Sequence, residues 1–332
     1  MTPVRVILGC LLLGLSSLAA AAPIVDAAYV KAAAARGAIV WDVRATPQYK
    51  KGHIPGAVSI GDAGAALREM TKEDFIETDK IEKILGAAGI DPAQEVIVYG
   101  DRGSPYAYFG RFTLRYFGGK NVAVFHDGVD GWTAAGNALE TTDATRQPVT
   151  LKLTPVAALS PTTDEVVALV GKGVQIVDAR SPAEYSGQDV RAIRGGHIPG
   201  AVNVPFEQNW KDPETAAKLA KKAVPDNSGM TLKATEDLKA LYAKLDPSKE
   251  TVVYCQSGVR AAEDAAILEQ LGFKNVKVYD SSWLGYAARL NAPVADETFF
   301  NVGATTAKLG ALTKRVEELE RLVEQLAKNA TK

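Results

Sequence analysis

The chain has 332 residues, 47% of them hydrophobic and 23% charged. That is the composition of a globular protein of about two domains, and it excludes a disordered, collagen-like or disulfide-rich class. The formal net charge of −1 gives no general attraction to nucleic acid or to an anionic membrane, and no nucleic-acid partner is expected. Two cysteines, Cys10 and Cys255, and three histidines, His53, His126 and His197, are too few for a zinc cluster or a haem-attachment motif. Neither a metal nor a cofactor is expected.

At the N-terminus, Arg5, the apolar run Val6–Leu18 and the small residues Ala19–Ala22 predict a secretory leader over residues 1–22, cut near Ala21. The run falls short of the roughly 20 apolar residues of a membrane span, so no span is expected after processing. Cys10 and Arg5 leave with the leader, which takes the formal charge to −2 and makes Cys255 the remaining thiol. The compartment expected is the periplasm, which is kept oxidising.

Short β-branched runs then alternate with helical patterns. In the first half (23–140), Ile39–Trp41, Val96–Tyr99 and Val122–Phe125 read as buried strands, with helical stretches at Ile81–Ala88 and Arg111–Phe117. A Thr- and Pro-rich linker follows over 141–160. In the second half (161–296) the strands are Val174–Val177, Thr251–Tyr254 and Val276–Tyr279, and the helices include Glu214–Ala223, Ala234–Leu245 and Ala261–Leu271. Strand–helix alternation predicts α/β domains, each a parallel sheet flanked by helices.

The halves repeat each other. Asp42-Val43-Arg44 matches Asp178-Ala179-Arg180, and His53-Ile54-Pro55-Gly56-Ala57 matches His197-Ile198-Pro199-Gly200-Ala201. The offset is 136 residues at the first landmark, 144 at the second and about 155 at the third strand. This is a domain duplication rather than a short solenoid repeat. The second copy therefore carries two insertions, one with Arg191 and Arg194 and one within Phe206–Met230, and extra loop material points to that copy as the one holding a site.

Cys255 follows the strand Thr251–Tyr254 and opens the loop Cys255-Gln256-Ser257-Gly258-Val259-Arg260, after which a helix begins. Ligands of open parallel sheets lie at the carboxyl ends of strands. A loop curling into a helix N-terminus turns several N–H groups inward to make an anion cradle, and a thiol at its centre is expected as thiolate. Gly258 permits the curl, and Arg260 adds positive charge. The competing reading is a small buried cysteine at a strand end.

These elements, with Tyr279-Asp280-Ser281-Ser282-Trp283, resemble a tandem-domain rhodanese, a thiosulfate or 3-mercaptopyruvate sulfurtransferase, over about Val25 to Pro293. The resemblance implies two rhodanese-like domains. It implies that Cys255 attacks the outer sulfur of a small anionic donor, holds a persulfide and passes the sulfur to a thiol or cyanide. The loop Gln256 to Arg260 would bind the donor. A six-residue loop suits a sulfur adduct, whereas related phosphatases use one residue more. In the first half Gly100 stands where the cysteine should be, followed by Asp101, so that domain is expected to be silent. Thiosulfate is the first donor expected, because Arg260 and the insertion arginines favour a small dianion. 3-Mercaptopyruvate is the alternative, because the uncharged stretch Gln256–Val259 is closer to mercaptopyruvate enzymes. A sulfur or selenium carrier that does not turn over is the reading from another class.

His53 and His197 recur in both halves, the silent one included, and are read as structural; so are Asp42 and Asp178. Arg180 and Arg194 are candidate ligands for the donor's anionic group, although Arg44 matches Arg180 and gives it a structural alternative. Trp283 either walls the cleft or packs in the core.

In the tail (303–328), Leu309, Leu312, Val316, Leu319, Val323 and Leu326 alternate at spacings of three and four, nearly three heptads. Arg315 and Glu320 flank the seam, in a run resembling short trimeric coiled coils. The expectation is a homo-oligomer, dimer or trimer, through 309–326, against the alternative of an amphipathic helix docked on its own domain.

Overall fold

The computed structural model describes residues 22–330. The expected leader lies almost wholly outside them. Eleven strands occur in this span: β1 (Ile24–Val25), β2 (Ile39–Asp42), β3 (Val58–Ser59), β4 (Val96–Tyr99), β5 (Val122–Phe125), β6 (Gln175–Asp178), β7 (Arg194–His197), β8 (Val202–Asn203), β9 (Glu250–Tyr254), β10 (Asn275–Val278) and β11 (Ala295–Phe299). The first sheet runs β1-β5-β4-β2-β3 and the second β10-β9-β6-β8, with all pairs parallel. Once the edge strand β1 is set aside, the order is the same in both. The duplication read from the motifs is thus a duplication of topology.

The strands are continuous apolar runs because helices cover both faces of each sheet. Ile39, Val96 and Val98 in one sheet and Val177 and Val253 in the other are fully buried. The helix Pro105–Tyr116 of the first domain packs on the helix Val259–Gln270 of the second. Ala261, Ala262, Ala265 and Ala266 make the second helix narrow enough for Phe109 and Phe112 to join one core that spans both domains. At the edge of that contact Arg111 and Arg115 donate to Glu269 at 2.7 and 2.5 Å.

Two features depart from the sequence reading. β7 and β11 form an antiparallel ribbon outside the parallel sheet. Neither Arg-Gly-Gly-His nor Ala-Asp-Glu-Thr-Phe has the apolar pattern of a buried strand. The insertion within Phe206–Met230 starts beside the helix that carries Arg260, where Asn209 and Trp210 bond Asp264 and Glu263. It ends on the first domain, where the Met230 carbonyl meets His126 Nε2 at 2.8 Å and Asn227 Nδ2 donates to Asp130 at 2.8 Å. The expected helices there are shorter, at Thr215–Ala220 and Thr235–Leu241. The tail is one helix, Val302–Ala330. No helix of the described residues is long and apolar enough to cross a membrane.

Candidate active site

β9 ends at Tyr254, and the next residue, Cys255, is a free thiol with 1% exposure. Its N–H donates to Ser282 Oγ at 3.1 Å, and its carbonyl accepts from Trp283 N–H at 3.0 Å. The Gln256 carbonyl accepts from Leu284 N–H at 3.0 Å. Both loop carbonyls are therefore turned toward the helix Ser282–Ala287. The first N–H groups of the helix Val259–Gln270 have no intrahelical acceptor, as at any helix start. Gly258 precedes that helix at φ +84°, in the left-handed region. A Cβ there would lie 2.5 Å from Asp280 Oδ1, so both the turn and the close approach require glycine.

Arg260, in the first helical turn, donates both ends of its guanidinium to Glu184, at 2.8 Å each. Burial opposes its charge, but the Glu184 hydrogen bonds and the Glu184 carboxylate beside it raise its pKa above the usual arginine value. Burial likewise opposes the Glu184 charge, yet the Arg260 bonds hold its carboxyl down at about 2. The pair stays ionised at any ordinary pH. Glu184 is placed by a capping box with Ser181 at the start of a short helix. Arg191 also reaches Glu184, at 3.3 Å, from a half-exposed side chain at the rim.

A cleft of about 480 Å³ opens over Cys255 between the domains. Of the loop residues expected at the site, Cys255, Gln256, Ser257, Val259 and Arg260 line it, while Gly258 faces Asp280 beneath. Gln256 Nε2 donates to the Arg191 carbonyl at 2.9 Å, and its buried Oε1 has no partner. The first domain supplies the other wall, including Arg68 and Tyr106. Arg68 is 7% exposed and donates from Nη1 to Asp280 at 2.9 Å, while its Nε and Nη2 are buried without partners. The guanidinium lies over the Phe109 ring at 4.9 Å. Burial pushes Asp280 up to about 6, against the pull of Arg68.

The structure does not bring Arg180 and Arg194 to this cleft. Arg180 is held by Asp178 at 2.6 Å and by the Gly196 carbonyl at 2.8 Å, stacked over Trp283 at 4.5 Å. Arg44 repeats this arrangement with Asp42 and Gly52 in the first domain. Arg194 is 2% exposed and spends its donors on the carbonyls of Ala287, Ala292 and Arg289 and on Glu297. Trp283 is buried, with its indole N–H on the Arg194 carbonyl at 2.9 Å. The two recurring histidines stack on Tyr49 at 3.9 Å and Tyr185 at 3.6 Å, and their Nδ1 atoms bond the carbonyls of those tyrosines. His126 joins Tyr108 to the Met230 carbonyl.

In the first domain Gly100 occupies the structural place of Cys255: its carbonyl accepts from Val129 N–H at 3.1 Å, as that of Cys255 does from Trp283. Met230 covers the loop, and a Cβ on Gly103 would meet Met230 Cβ at 2.8 Å. Among the described residues no cluster of three or more His, Cys, Asp or Glu could hold a metal ion.

The Rhodanese-like domain profile matches the chain twice, at residues 26–135 and 162–289. "Thiosulfate sulfurtransferase" of Corynebacterium glutamicum is 33% identical over 261 residues, 74% of this chain and 80% of that protein. "Putative thiosulfate sulfurtransferase" of Saccharopolyspora erythraea is also 33% identical over 261 residues, 75% of this chain and 86% of that protein. Among solved structures, an anaerobic ergothioneine biosynthesis enzyme from Chlorobium limicola in complex with trimethyl histidine shares the fold. Its TM-score is 0.68 at 22% identity, over 82% of this chain and 69% of that one. With two matched domains and relatives of this similarity, the chain belongs to the rhodanese-like sulfurtransferase family.

Proposed function

We propose that the protein moves a sulfane sulfur from thiosulfate, through a persulfide on Cys255, to a thiol or cyanide acceptor. The observation that supports this most directly is Cys255 at the floor of a cleft, on a loop whose carbonyls are turned away and whose helix start faces it. The Cys255 thiolate attacks the outer sulfur of the donor. The S–S bond breaks, and sulfite leaves with the electron pair. The acceptor thiolate then attacks the outer persulfide sulfur, and the Cys255 thiolate departs; with cyanide the product is thiocyanate. No oxidant or cofactor is needed, because the sulfane sulfur is transferred at constant count of electrons.

Arg260 fixes the helix start and keeps a positive charge beside the sulfur, although Glu184 offsets part of it. Arg191, at the rim, is the cation with room to turn toward an anionic donor. 3-Mercaptopyruvate is the second reading, supported by the uncharged side chains of Gln256, Ser257 and Val259 around the sulfur; its leaving group is pyruvate. The leader supports action in the periplasm, which fractionation of the expressing cell checks.

The test is steady-state turnover with both donors for the parent and for Cys255→Ser, with mass spectrometry of donor-treated protein. Sulfite release from thiosulfate and an adduct of one sulfur atom at Cys255 are expected, and both are lost in the variant. Full turnover by Cys255→Ser refutes the mechanism. Labelling at Cys255 without release of sulfite or pyruvate makes the protein a sulfur carrier instead.

A further inference from the structure

We propose that the helix Val302–Ala330 joins copies of this chain into a parallel, in-register coiled coil. The helix has 29 residues and every side chain from 302 to 329 is exposed, so it does not dock on its own domain. At 1.5 Å per residue it projects about 43 Å. Asn301 caps it, its Oδ1 accepting from Ala304 N–H at 2.9 Å.

Its large apolar residues other than Leu322, which flanks the seam, fall on one line. Val302, Leu309, Val316 and Val323 repeat every seven residues, and Leu312, Leu319 and Leu326 follow three residues after the last three of them. From Leu309 onward these six side chains are 47% to 67% exposed. Burying one such side chain against a neighbour is worth about 1.5–3 kcal/mol, and an isolated helix in water has nothing else to fix it. The occupant that matches a heptad seam along its whole length is the same seam on a second copy, with each Leu or Val entering the hole opposite.

Charge and the root of the helix set the direction. In a parallel, in-register pair Arg315, just before one seam residue, lies across from Glu320 of the next turn on the neighbour. In the free chain Arg315 turns instead to Glu318, at 2.7 Å and well exposed. The apolar surface also continues below the helix. Ile193, Phe299 and Phe300 are exposed where the tail leaves the body, and Ile193 and Phe300 line a hollow of about 400 Å³ with Leu284 and Ala288. A parallel coil brings these roots together, whereas an antiparallel one holds them a helix length apart.

The experiment uses the full chain at micromolar concentration. Sedimentation equilibrium is expected to give a mass two or more times that of one chain, and Val316→Glu with Leu319→Glu is expected to give a monomer with unchanged sulfur-transfer kinetics. These side chains touch nothing in the body, so the variant tests association rather than folding. Leu326→Cys is expected to form a disulfide between copies under mild oxidation, because Cys255 is buried. A monomeric parent, whether free or on lipid vesicles, overturns the proposal. So does a double variant that stays associated, or a Leu326→Cys chain that associates without cross-linking.

Discussion

Replacing Arg68 by methionine removes a charge from the domain interface while keeping a stem of similar reach. The guanidinium is 7% exposed and has one ionic partner, Asp280, at 2.9 Å. Losing one partner of a buried pair costs about 3–5 kcal/mol when the other is left charged. Asp280 need not stay charged, because its carboxyl is already held at about 6, above its ordinary 3.8. A carboxyl raised in the folded state weakens the fold as pH rises from the unfolded value to the folded one. In the parent this loss accumulates between about pH 4 and pH 6 and then stops. In Arg68→Met the folded value climbs higher, since the attraction that lowers it is gone, and the loss goes on above pH 6. Each pH unit is worth about 1.4 kcal/mol, so the two units from pH 6 to pH 8 allow up to about 3 kcal/mol. At pH 5 Asp280 is protonated in both proteins. The variant is then close to neutral, because the unpartnered Nε and Nη2 no longer have to be buried. Urea denaturation at pH 5 and pH 8 measures this. A destabilisation equal at the two values, or larger at pH 5, refutes the reasoning.

Two further predictions concern the helix that carries the loop. Gly258→Ala forces a side chain into the left-handed region and onto Asp280, so a loss of about 1–3 kcal/mol is expected in urea denaturation, with reduced kcat because the loop must shift. Glu263 and Asp264 are fully buried without a cation; their Oε2 and Oδ2 have no partner, and burial raises both pKa values well above the usual range. Glu263→Gln keeps an acceptor for Trp210 Nε1, now 3.0 Å from Oε1, and removes the ionisable group. The folded carboxyl resists ionising, so the parent loses stability as pH rises above the ordinary carboxylate range, and the variant's advantage is expected to grow steadily between pH 4.5 and pH 8. A pH-independent difference between the two denaturation midpoints counts against it.

The parallel strands were legible because burial on both faces leaves apolar runs such as Val96–Tyr99 and Thr251–Tyr254, and because the same landmarks recur in each half. Cys255 was legible because a strand end followed by Gly258 and a helix has one local geometry. What sequence reasoning missed depends on packing between distant segments. Arg194 counts as a cation in the sequence, but four backbone carbonyls and Glu297 consume it. Arg180 carried a warning in its match to Arg44, which repeats the same internal ion pair where there is no nucleophile. Arg68 and Tyr106 belong to the half without a cysteine, and no spacing ties them to Cys255 some 150–190 residues later. Glu184 could have been found: Ser181-Pro182-Ala183-Glu184 is a capping-box pattern, which fixes a carboxylate near the Asp178-Ala179-Arg180 turn.

The first domain supplies one wall of the cleft, and the glycine in its strand-end loop goes with that role. A strand-end loop that holds an anion must leave its mouth open. Gly100 stands where the second domain has Cys255, and the loop after it is covered: Met230 sits on Gly103, and Arg102 reaches Asn227 at 3.2 Å. The carboxyl end of one sheet thereby becomes a docking surface for the other domain's insertion. That docking adds to the packing of Pro105–Tyr116 on Val259–Gln270, and Arg68 and Tyr106 come to line the cleft with Cys255. Arg68 then touches Asp280, which lies directly under Gly258 in the loop. The domain without a cysteine is thus tied, through one buried ion pair, to the turn that leads from Cys255 into its helix.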